Sequence, residues 1–343
     1  MRSRDQLLAF LLRHRGGYVS GGRAAEELHI SRSAVWKAVE SLRNDGYQIE
    51  AAPRKGYRLS KDNDILSPEG LADEIGPPVS RDQIRVFREL PSTNRTAKEL
   101  AVGGAAHGTV VIADRQSSGS GHYARAFYSP DGGVYLSVIL RPDHFQLRCP
   151  PLITLTAAAV TADAIEALCG VSPGIRWIND LFLDGRKICG ILTESASDFE
   201  SGELEWIVVG IGINLAVRTG EFPEKIRGCA GSIYEYGHAE VSRTRLAGRI
   251  VRDLLSAGER KSEDLIDSYR RRLMMKNEIV RLRSAGKTEQ VRLIDIDGWG
   301  RLIVERADGT RGSYTAGEIR PVKDGDGREI VKTEKAGDRD DGV

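Results

Sequence analysis

Three short segments of this 343-residue sequence combine polar side chains and glycines in patterns that suit a polar or anionic ligand. Ser92-Thr93-Asn94 stands at the predicted start of a helix and displays three polar side chains. Residues 116–125 (QSSGSGHYAR) form a glycine-rich loop whose free backbone N–H groups suit a phosphate or a carboxylate. Residues 176–180 (RWIND) and Lys187 place cations, an amide and a carboxylate among apolar strand residues, where charges need partners. We therefore treat these segments as candidate ligand-binding residues.

Each segment also has a purely structural explanation. Ser92 and Thr93 are common N-cap residues, so the first segment could serve only to begin a helix. The second matches the dinucleotide fingerprint G-x-G-x-x-A, which must open a helix, whereas the alternating residues 127–140 predict a strand, so we reject that match and leave a plain loop open. The third could be a buried structural ion pair. Residues 210–214 (GIGIN) close another strand at a point where a ligand or a backbone approaches closely.

The first 61 residues are basic, although the whole chain is almost neutral. They contain 12 Lys/Arg and 6 Asp/Glu, which gives a net charge of +6. Because the complete sequence has a net charge of +1, the remaining residues carry −5. This asymmetry indicates an anionic partner for the N-terminal part.

Apolar spacing in the same part predicts three short helices followed by a basic hairpin. Ser20 and Ser31 are suitable N-caps for the second and third helices, and Gly46 ends the third. This order is typical of a winged helix-turn-helix domain, in which the third helix enters the major groove and the wing contacts phosphates. A small helical protein-docking domain is the alternative. The candidate DNA-contact residues are Arg32, Ser33, Trp36, Lys37, Arg54 and Lys55.

Strand patterns dominate the rest of the chain, and the predicted fold class is α+β. Strand-like segments between residues 84 and 215 surround an Ala-rich helix over 152–168, and further helix fits 243–272. We expect a mostly antiparallel sheet there, and a second, smaller β domain from the alternating segments within 278–314. The predicted domains are 1–62 (winged helix-turn-helix), 63–80 (linker), 81–273 (ligand-binding domain), 276–324 (small β domain) and 325–343 (disordered tail).

Composition excludes several other classes of protein. Hydrophobic residues at 40% and charged residues at 29% are typical of a globular chain and not of a disordered one. The four cysteines have neither the spacing of a zinc site nor the number of a disulfide framework, so we expect reduced thiols and no metal ligands. No apolar run approaches the ~18–20 residues that span a bilayer, and no signal peptide is recognised, so we expect no membrane contact and a cytoplasmic location.

The joint order of these motifs resembles the bifunctional biotin protein ligases that also act as repressors of the biotin operon. The order is a winged helix, Ser-Thr-Asn, a Gln-x-x-Gly-x-Gly loop, basic-Trp-x-Asn-Asp, Lys-x-x-Gly-Ile-Leu-x-Glu, Gly-x-Gly-Ile-Asn, and a small β barrel ending in Gly-Glu-Ile. Each motif alone is weakly specific, but their order is strongly so, and the resemblance covers about residues 5–322. It implies a class II synthetase-like mixed sheet over 81–273 and an SH3-like barrel over 276–324.

The resemblance also implies a two-step reaction that uses biotin, ATP and Mg²⁺. The biotin carboxylate attacks the α-phosphorus of ATP, which gives biotinyl-5′-AMP and pyrophosphate. A Lys of a biotin carboxyl carrier domain then takes the biotin and AMP is released. Cations would stabilise charge on the phosphoryl oxygens, and a mobile loop would protect the acyl-adenylate from water.

Residues that match the family's motifs take their roles from the same resemblance. Biotin would be bound by Ser92, Thr93, Asn94, Gln116, Ser120, Gly121, His122 and Lys187. The adenylate and ATP would be bound by Gly119, Arg125, Phe127, Asn179, Gly190 and Asn214. The expected catalytic residues are Lys187, Arg176 and Asp180.

Two other functions stay open beside that of ligase and repressor. The first is a ligand-sensing transcription factor that binds biotin or its adenylate but transfers it poorly or not at all. The second is a lipoate- or octanoyl-attaching enzyme, against which the winged helix and the small barrel both argue. For the ligase and repressor, the expected partners are the carrier domain and operator DNA. Adenylate binding is then expected to promote a homodimer, by edge-to-edge pairing of sheets.

The glycine loop departs from the family's usual Gly-Arg-Gly-Arg-x-Gly-Arg. Ser120 and His122 stand where two Arg are usual, so the loop loses up to two permanent charges. Ala124 replaces the third Gly and narrows the freedom of the backbone there. Arg176 stands for the usual Lys, and Phe127 stands where the family usually stacks a Trp near the adenine. These departures predict weaker retention of the adenylate or slower adenylation, with activity preserved.

The substitution His122→Arg tests this prediction. It returns a permanent charge to the loop and is expected to slow the release of labelled biotinyl-adenylate about tenfold, since a hydrogen bond to a charged group contributes about 1.5–3 kcal/mol. The measurement is the dissociation rate of the label from the wild type and from the variant. Equal rates, or slower release from the wild type, would contradict the prediction.

Overall fold

A computed structural model describes most of the chain, namely residues 3–14, 16–60, 63–144, 150–260 and 262–322. The tail predicted over 325–343 lies outside the described residues. A helical N-terminal domain is followed by a central domain of strands and helices and then by a small antiparallel sheet. The predicted α+β class is therefore confirmed, while the predicted domain boundaries stay predictions.

The N-terminal domain is a helix-turn-helix with a two-stranded wing. Its elements are α1 (Ser3–Arg13), α2 (Gly21–Glu27), α3 (Arg32–Asn44), β1 (Ile49–Ala52) and β2 (Gly56–Leu59). Ser20 and Ser31 cap α2 and α3, since each hydroxyl accepts the backbone N–H three residues later at 3.1 Å. Leu7, Val39 and Leu42 belong to the apolar cluster that joins the three helices.

The segment predicted as a linker, 63–80, contains a helix. α4 (Pro68–Ile75) has Ser67 as its N-cap and a proline in its first turn. Leu71 and Ile75 are buried in the main hydrophobic cluster, which is that of the central domain. The prolines suggested a linker, but one of them begins this helix, because proline fits the first turn without loss of a hydrogen bond. This segment therefore packs as part of the central domain.

The central domain is a seven-stranded sheet covered by helices. Its strands are β3 (Ile84–Leu90), β4 (Val110–Gln116), β5 (Val134–Leu140), β6 (Gly174–Arg176), β7 (Asp180–Leu183), β8 (Arg186–Ser197) and β9 (Leu204–Ile213). Its helices are α5 (Thr93–Val102), α6 (Pro150–Cys169), α7 (Glu224–Arg227), α8 (Arg243–Ser256) and α9 (Ser262–Arg271). The strand order is β3-β4-β5-β9-β8-β7-β6. As predicted, the sheet is mostly antiparallel, with only β3 and β4 parallel among these strands.

This strand order brings distant residues together. Asp180 on β7 lies opposite Arg176 on β6 and opposite Gly190 on β8. Gly210 on β9 lies opposite Ser137 on β5. Directly opposite residues share one face of a sheet, so these residues from five strands lie on the same face.

Helix α6 is the most apolar helix of the central domain. Over Pro151–Cys169 its length and composition alone would allow it to cross a membrane, which the sequence analysis did not anticipate. In this fold, 72% of the most apolar 18-residue stretch of the helix is buried inside the protein. Leu155 and Val160 belong to the main hydrophobic cluster. A helix that is apolar on all sides because it lies in a core satisfies the same test.

The C-terminal domain is a five-stranded antiparallel sheet that packs on the central domain. Its strands are β10 (Ile279–Ser284), β11 (Lys287–Ile296), β12 (Leu302–Glu305), β13 (Arg311–Tyr314) and β14 (Glu318–Pro321), in the order β13-β12-β11-β10-β14. Val280 and Leu282 join the main hydrophobic cluster, and Trp177 Nε1 donates to the carbonyl of Gly300 at 3.1 Å. Closure of the sheet into an SH3-like barrel stays a prediction.

Candidate active site

The three polar segments from the sequence meet at one pocket. The pocket holds about 1000 Å³ of space, which includes its open mouth. Residues of the α5 start, the glycine loop, the strands β7 to β9 and the strand β14 line it. The predicted residues that line it are Ser92, Thr93, Asn94, Gln116, Ser120, Gly121, His122, Arg125, Phe127, Arg176, Asn179, Asp180, Lys187 and Gly190.

Two residues expected to bind the adenylate do not line this pocket. A Cβ on Gly119 would lie 2.5 Å from the carbonyl oxygen of Phe127, so this position has room only for glycine. The side chain of Asn214 donates to the carbonyl of Gly231 at 2.8 Å and joins two loops outside the pocket. Contact of these two residues with the adenylate therefore stays a prediction, and in this structure both hold the backbone around the pocket.

The start of α5 holds Gln116 in one orientation. Gln116 Oε1 accepts the backbone N–H of Thr93 at 2.8 Å and its hydroxyl at 3.2 Å, and Gln116 Nε2 donates to Ser129 Oγ at 2.8 Å. Ser92 is the N-cap residue by position, but its side chain makes no capping hydrogen bond. Ser92 is a buried residue that lines the pocket, and its hydroxyl has no hydrogen-bond partner in the part of the chain that the structure describes, so it is available to a polar ligand.

Asn94 forms one wall of the pocket and is held from three sides. Its Oδ1 accepts a hydrogen bond from Ser137 Oγ at 2.6 Å. Its Nδ2 donates to Glu194 Oε2 at 2.8 Å and to the carbonyl of Leu192 at 3.2 Å. A Cβ on Gly210 would lie only 1.9 Å from Asn94 Oδ1. The close approach expected at GIGIN is therefore that of a protein side chain.

Asp180 holds two cations at the pocket surface. Lys187 Nζ lies 2.5 Å from Asp180 Oδ1, and Arg176 Nη2 lies 3.2 Å from Asp180 Oδ2. The side chains of Arg176, Asp180 and Lys187 are 23%, 17% and 32% exposed, so the ion pair considered from the sequence exists but is open to the pocket. One carboxylate compensates two cations, which leaves positive charge where an anionic ligand would bind.

Two glycines make room for the ring of Phe127 beside these cations. A Cβ on Gly212 would lie 2.5 Å from Phe127 Cε1, and one on Gly190 would lie 3.1 Å from Phe127 Cε2. Lys187 Nζ lies 6.0 Å from the centroid of the ring. The ring thus provides a flat apolar wall next to a charged one, as a ligand with aromatic and anionic parts requires.

The glycine loop closes as a small hairpin over the pocket. Ser120 forms an isolated β-bridge with Ala126, and the N–H of Gly121 donates to the carbonyl of Arg125 at 2.7 Å. His122–Ala124 forms a short 3₁₀ turn in which Tyr123 has a positive φ of 58°. The loop therefore has a defined shape of its own, as a lid over a ligand requires.

The C-terminal sheet contributes a side of the pocket that sequence reasoning missed. Gly317, Glu318 and Ile319 line it, and Glu318 accepts hydrogen bonds from Arg125 at 2.9 and 2.7 Å. The Gly-Glu-Ile motif was visible, but no signal in the sequence puts it beside a loop 193 residues away. The other missed lining residues are Tyr123, Ala126, Trp177, Ile191, Leu192, Gly210, Ile211 and Gly212, most of which lie within the quoted motifs.

The pocket offers no resident metal site. Both carboxylates that line it, Asp180 and Glu318, are engaged by Lys or Arg. Among the residues described, no group of three or more His, Cys, Asp or Glu could hold a metal ion. Mg²⁺ is usually bound through one or two carboxylates together with phosphate oxygens and water, so a Mg²⁺ ion would enter here as part of its nucleotide.

The predicted DNA-contact residues lie on two exposed parts of the N-terminal domain. Arg32, Ser33, Trp36 and Lys37 are exposed on the first turns of α3, and Arg54 and Lys55 are exposed in the turn between β1 and β2. Residues spaced by three and four on a helix lie on the same side. Trp36 is 56% exposed, and a large exposed aromatic ring beside cations indicates a contact surface.

The ion pair between Arg125 and Glu318 generates a pH prediction. The hydrogen bonds from Arg125, with a further one from Arg320, lower the pKa of Glu318 from 4.5 to about 2. A carboxyl with a lowered pKa in the folded state contributes stability above its unfolded pKa and loses it as the pH falls. We expect Glu318→Gln to be less stable than the wild type above about pH 5. The difference in the free energy of unfolding should shrink between pH 4.5 and pH 2.

Urea unfolding at pH 7, 5, 4 and 3 provides the measurement. Glu305→Gln on β12 is the matched control, since Glu305 lies on the same sheet opposite Arg292 and Arg311. A difference between wild type and Glu318→Gln that stays constant with pH would contradict the assignment.

Comparison with known proteins agrees with both parts of the fold. Residues 86–214 match the biotin/lipoate A/B protein ligase family, and residues 3–58 match a helix-turn-helix domain. The chain is 33% identical over 326 residues to the bifunctional ligase/repressor BirA of Bacillus subtilis. The aligned residues cover 92% of this chain and 98% of that protein. It is 30% identical over 258 residues to the biotin–[acetyl-CoA-carboxylase] ligase of Mycobacterium tuberculosis, over 71% of this chain and 93% of that protein.

A solved structure with a similar fold is the biotin protein ligase from Aquifex aeolicus in complex with biotin and ATP. The TM-score is 0.57 at 24% identity, over 69% of this chain and 97% of the other. The similarity to the Bacillus protein extends across nearly the whole of both chains, and it includes the N-terminal domain as well as the pocket. This chain therefore belongs to the family of bifunctional biotin ligase/repressor proteins.

Proposed function

We propose that this protein activates biotin with ATP, transfers it to a Lys of a biotin carboxyl carrier domain, and represses biotin genes by binding operator DNA. The observation that carries the proposal is the single pocket in which an unpartnered hydroxyl, a glycine loop and two cations sharing one carboxylate face each other. The relatives support the choice of substrates, because one is named for carboxylase biotinylation and another was solved with biotin and ATP.

In the first step, a biotin carboxylate oxygen forms a bond to the α-phosphorus of ATP, and the bond from that phosphorus to the leaving pyrophosphate breaks. Two anions must approach each other, so the site needs fixed positive charge at the point of attack. Lys187 and Arg176 supply this charge, and Asp180 holds both side chains in position without cancelling them. Mg²⁺ that arrives with ATP would offset further charge on the phosphate oxygens.

In the second step, the amine of the carrier Lys attacks the acyl carbon of the mixed anhydride, which releases AMP and a proton. The mixed anhydride is vulnerable to water until the carrier arrives. The hairpin of the glycine loop lies over the pocket, and Arg125 on this loop is tied to Glu318 of the C-terminal sheet. The two domains together therefore restrict the access of water to the intermediate.

The polar end of biotin is proposed to bind at the start of α5. The hydroxyl of Ser92 is the available hydrogen-bonding group there, next to Gln116, whose amide is held in place by Thr93 and Ser129. Both donors of the Asn94 amide are occupied by protein acceptors, so Asn94 shapes the wall of the site. Fixed groups of this kind discriminate ligands well, because a ligand that lacks the matching atoms leaves them unpaired.

The DNA-binding half of the proposal rests on the exposed basic residues of α3 and the wing. Dimerisation is part of it, since two-fold operators are read by two winged helices at once. The edge strands of the central sheet are β3 and β6, where edge-to-edge pairing would occur. A cytoplasmic location, where carboxylases and DNA are both accessible, completes the proposal.

The ligase activity is tested by incubating the full-length protein with labelled biotin, MgATP and a biotin carboxyl carrier domain. Label is expected on the carrier Lys. Lys187→Ala is expected to lower the rate about 10²–10³-fold, because it removes a positive charge that stabilises the reacting phosphate. Lys225→Ala, an exposed lysine of α7, serves as the matched control and should be unchanged.

Other outcomes of this assay distinguish the remaining functions. Label that is bound but never transferred would contradict the ligase and favour a ligand sensor. Failure to bind biotin at all would contradict both and favour a lipoate- or octanoyl-attaching enzyme.

DNA binding is tested with DNA from upstream of the organism's own biotin genes. Lys37→Ala and Lys55→Ala are each expected to weaken binding and to reduce the slope of log affinity against log salt by about 1, the loss of one phosphate contact. Ligase activity should be preserved, since both residues lie in the N-terminal domain. Unchanged affinity and slope in both variants would favour a protein-docking role for this domain.

A further inference from the structure

The outer face of the C-terminal sheet carries three exposed arginines beside the mouth of the pocket. Arg281 on β10 lies directly opposite Arg320 on β14, and Arg283 lies opposite Glu318. With Thr288 they surround a hollow of about 540 Å³, which includes open solvent. We call Arg281, Arg283 and Arg320 the arginine patch.

The arginine patch carries more positive charge than its neighbours neutralise. Arg320 contacts Glu318 at 2.7 Å, but Glu318 is shared with Arg125. Within the described ranges, the side chains of Arg281 and Arg283 have no hydrogen-bond or ion-pair partner. Like charges directly opposite each other on neighbouring strands destabilise a sheet. The pair Arg281–Arg320 is therefore unfavourable in the protein alone and would be relieved by an anion between the two side chains.

The arginine patch is continuous with the active-site pocket. Glu318 lines both the pocket and the hollow of the patch. Arg283 also lines a second hollow together with Tyr123 and Arg125 of the glycine loop, and these two residues line the pocket as well. A ligand that extends from the pocket past the tip of the loop would therefore reach the patch.

The pocket by itself has little charge for the substrates proposed above. Its lining contains three permanent cations and two carboxylates, which leaves one net positive charge. The glycine loop contributes only Arg125 as a permanent cation, and Glu318 already pairs with it. A carboxylate and a triphosphate bring several negative charges to this site, so additional cations near the mouth would lower the free energy of the complex.

We propose that the arginine patch is a polyphosphate subsite, which binds the β- and γ-phosphates of the nucleotide and then the pyrophosphate that leaves. The identity of the nucleotide rests on the proposed function, whereas the binding of a phosphate chain does not. When the carboxylate oxygen bonds to the α-phosphorus, the electron pair of the broken P–O bond departs with pyrophosphate. The forked guanidinium groups of the patch stabilise that added charge with paired hydrogen bonds.

The first test measures binding of inorganic pyrophosphate to the full-length protein, without biotin or ATP, by titration calorimetry. The double variant Arg281→Met/Arg283→Met is expected to bind it at least about tenfold more weakly than the wild type, because charge-assisted contacts are lost. Its unfolding temperature without ligand should be equal or higher, since the repulsion is relieved, and pyrophosphate should raise it less than in the wild type.

Arg311→Met is the matched control for this test. Arg311 is exposed and lies on β13, at the edge of the sheet opposite β14. It lies on the same face as the arginine patch, because Arg311 pairs with Glu305, Glu305 with Arg292, and Arg292 with Ile279 of β10. It should bind pyrophosphate like the wild type. Equal losses in the control and the double variant would indicate a general charge effect and would overturn the proposal.

The second test separates the two half-reactions. In biotin-dependent ATP–pyrophosphate exchange, the KM for ATP is expected to rise about tenfold in the double variant, in line with the lost charge-assisted contacts. Transfer from preformed biotinyl-5′-AMP to the carrier domain should be unchanged. Normal exchange with impaired transfer would overturn the proposal, because the patch would then dock an acidic carrier surface. No change in either half-reaction would overturn it as well.

The two tests together distinguish failure of this inference from failure of the proposed function. A wild type that binds pyrophosphate through the patch but shows no biotin-dependent exchange would support the subsite and contradict the ligase. A wild type that catalyses exchange, with the same pyrophosphate affinity as the double variant, would support the ligase and contradict the subsite.

Discussion

The contacts of Asp180 with Lys187 and Arg176 are the interaction on which the rest of the site depends. Cations removed from water need a partner, and a single carboxylate between two of them meets this need while the cluster keeps a positive charge. The register of β6, β7 and β8 sets this geometry, because it puts Asp180 opposite Arg176 on one side and Gly190 on the other. Without that register, Lys187 and Arg176 would not be held side by side where an anionic ligand can contact both.

Space around the cluster is made by glycine. Positions 210 and 212 on β9 lack side chains where Asn94 and the ring of Phe127 cross the sheet, with gaps too small for a methyl group. The pocket walls are therefore built from Asn94 at the α5 start and from Phe127, just after the glycine loop, packed against strand backbone without side chains. Packing of this kind fixes the side chains that face the ligand and reduces the freedom lost on binding.

The site also depends on contacts between domains. Arg125 of the glycine loop binds Glu318 of β14, and Trp177 donates to the backbone of Gly300. Arg243 at the start of α8 binds Asp64, just after the wing, at 2.6 Å and Asp114 on β4 at 2.7 Å. β4 ends at Gln116, so this mostly buried cation joins the segment that follows the wing to a strand whose last residue lines the pocket.

The sequence by itself determined the local elements and the class of chemistry. Capping by Ser20 and Ser31, strand alternation and the ordered motifs all depend on hydrogen bonds and periodicities within a few residues, which a sequence displays directly. Only the tertiary structure decided that Gln116 fixes the start of α5 while the Ser92 side chain leaves it uncapped, that Asn214 stays outside the pocket, and that β14 lies beside the glycine loop. Contacts between residues far apart in the chain follow from strand order and register, which local patterns do not encode.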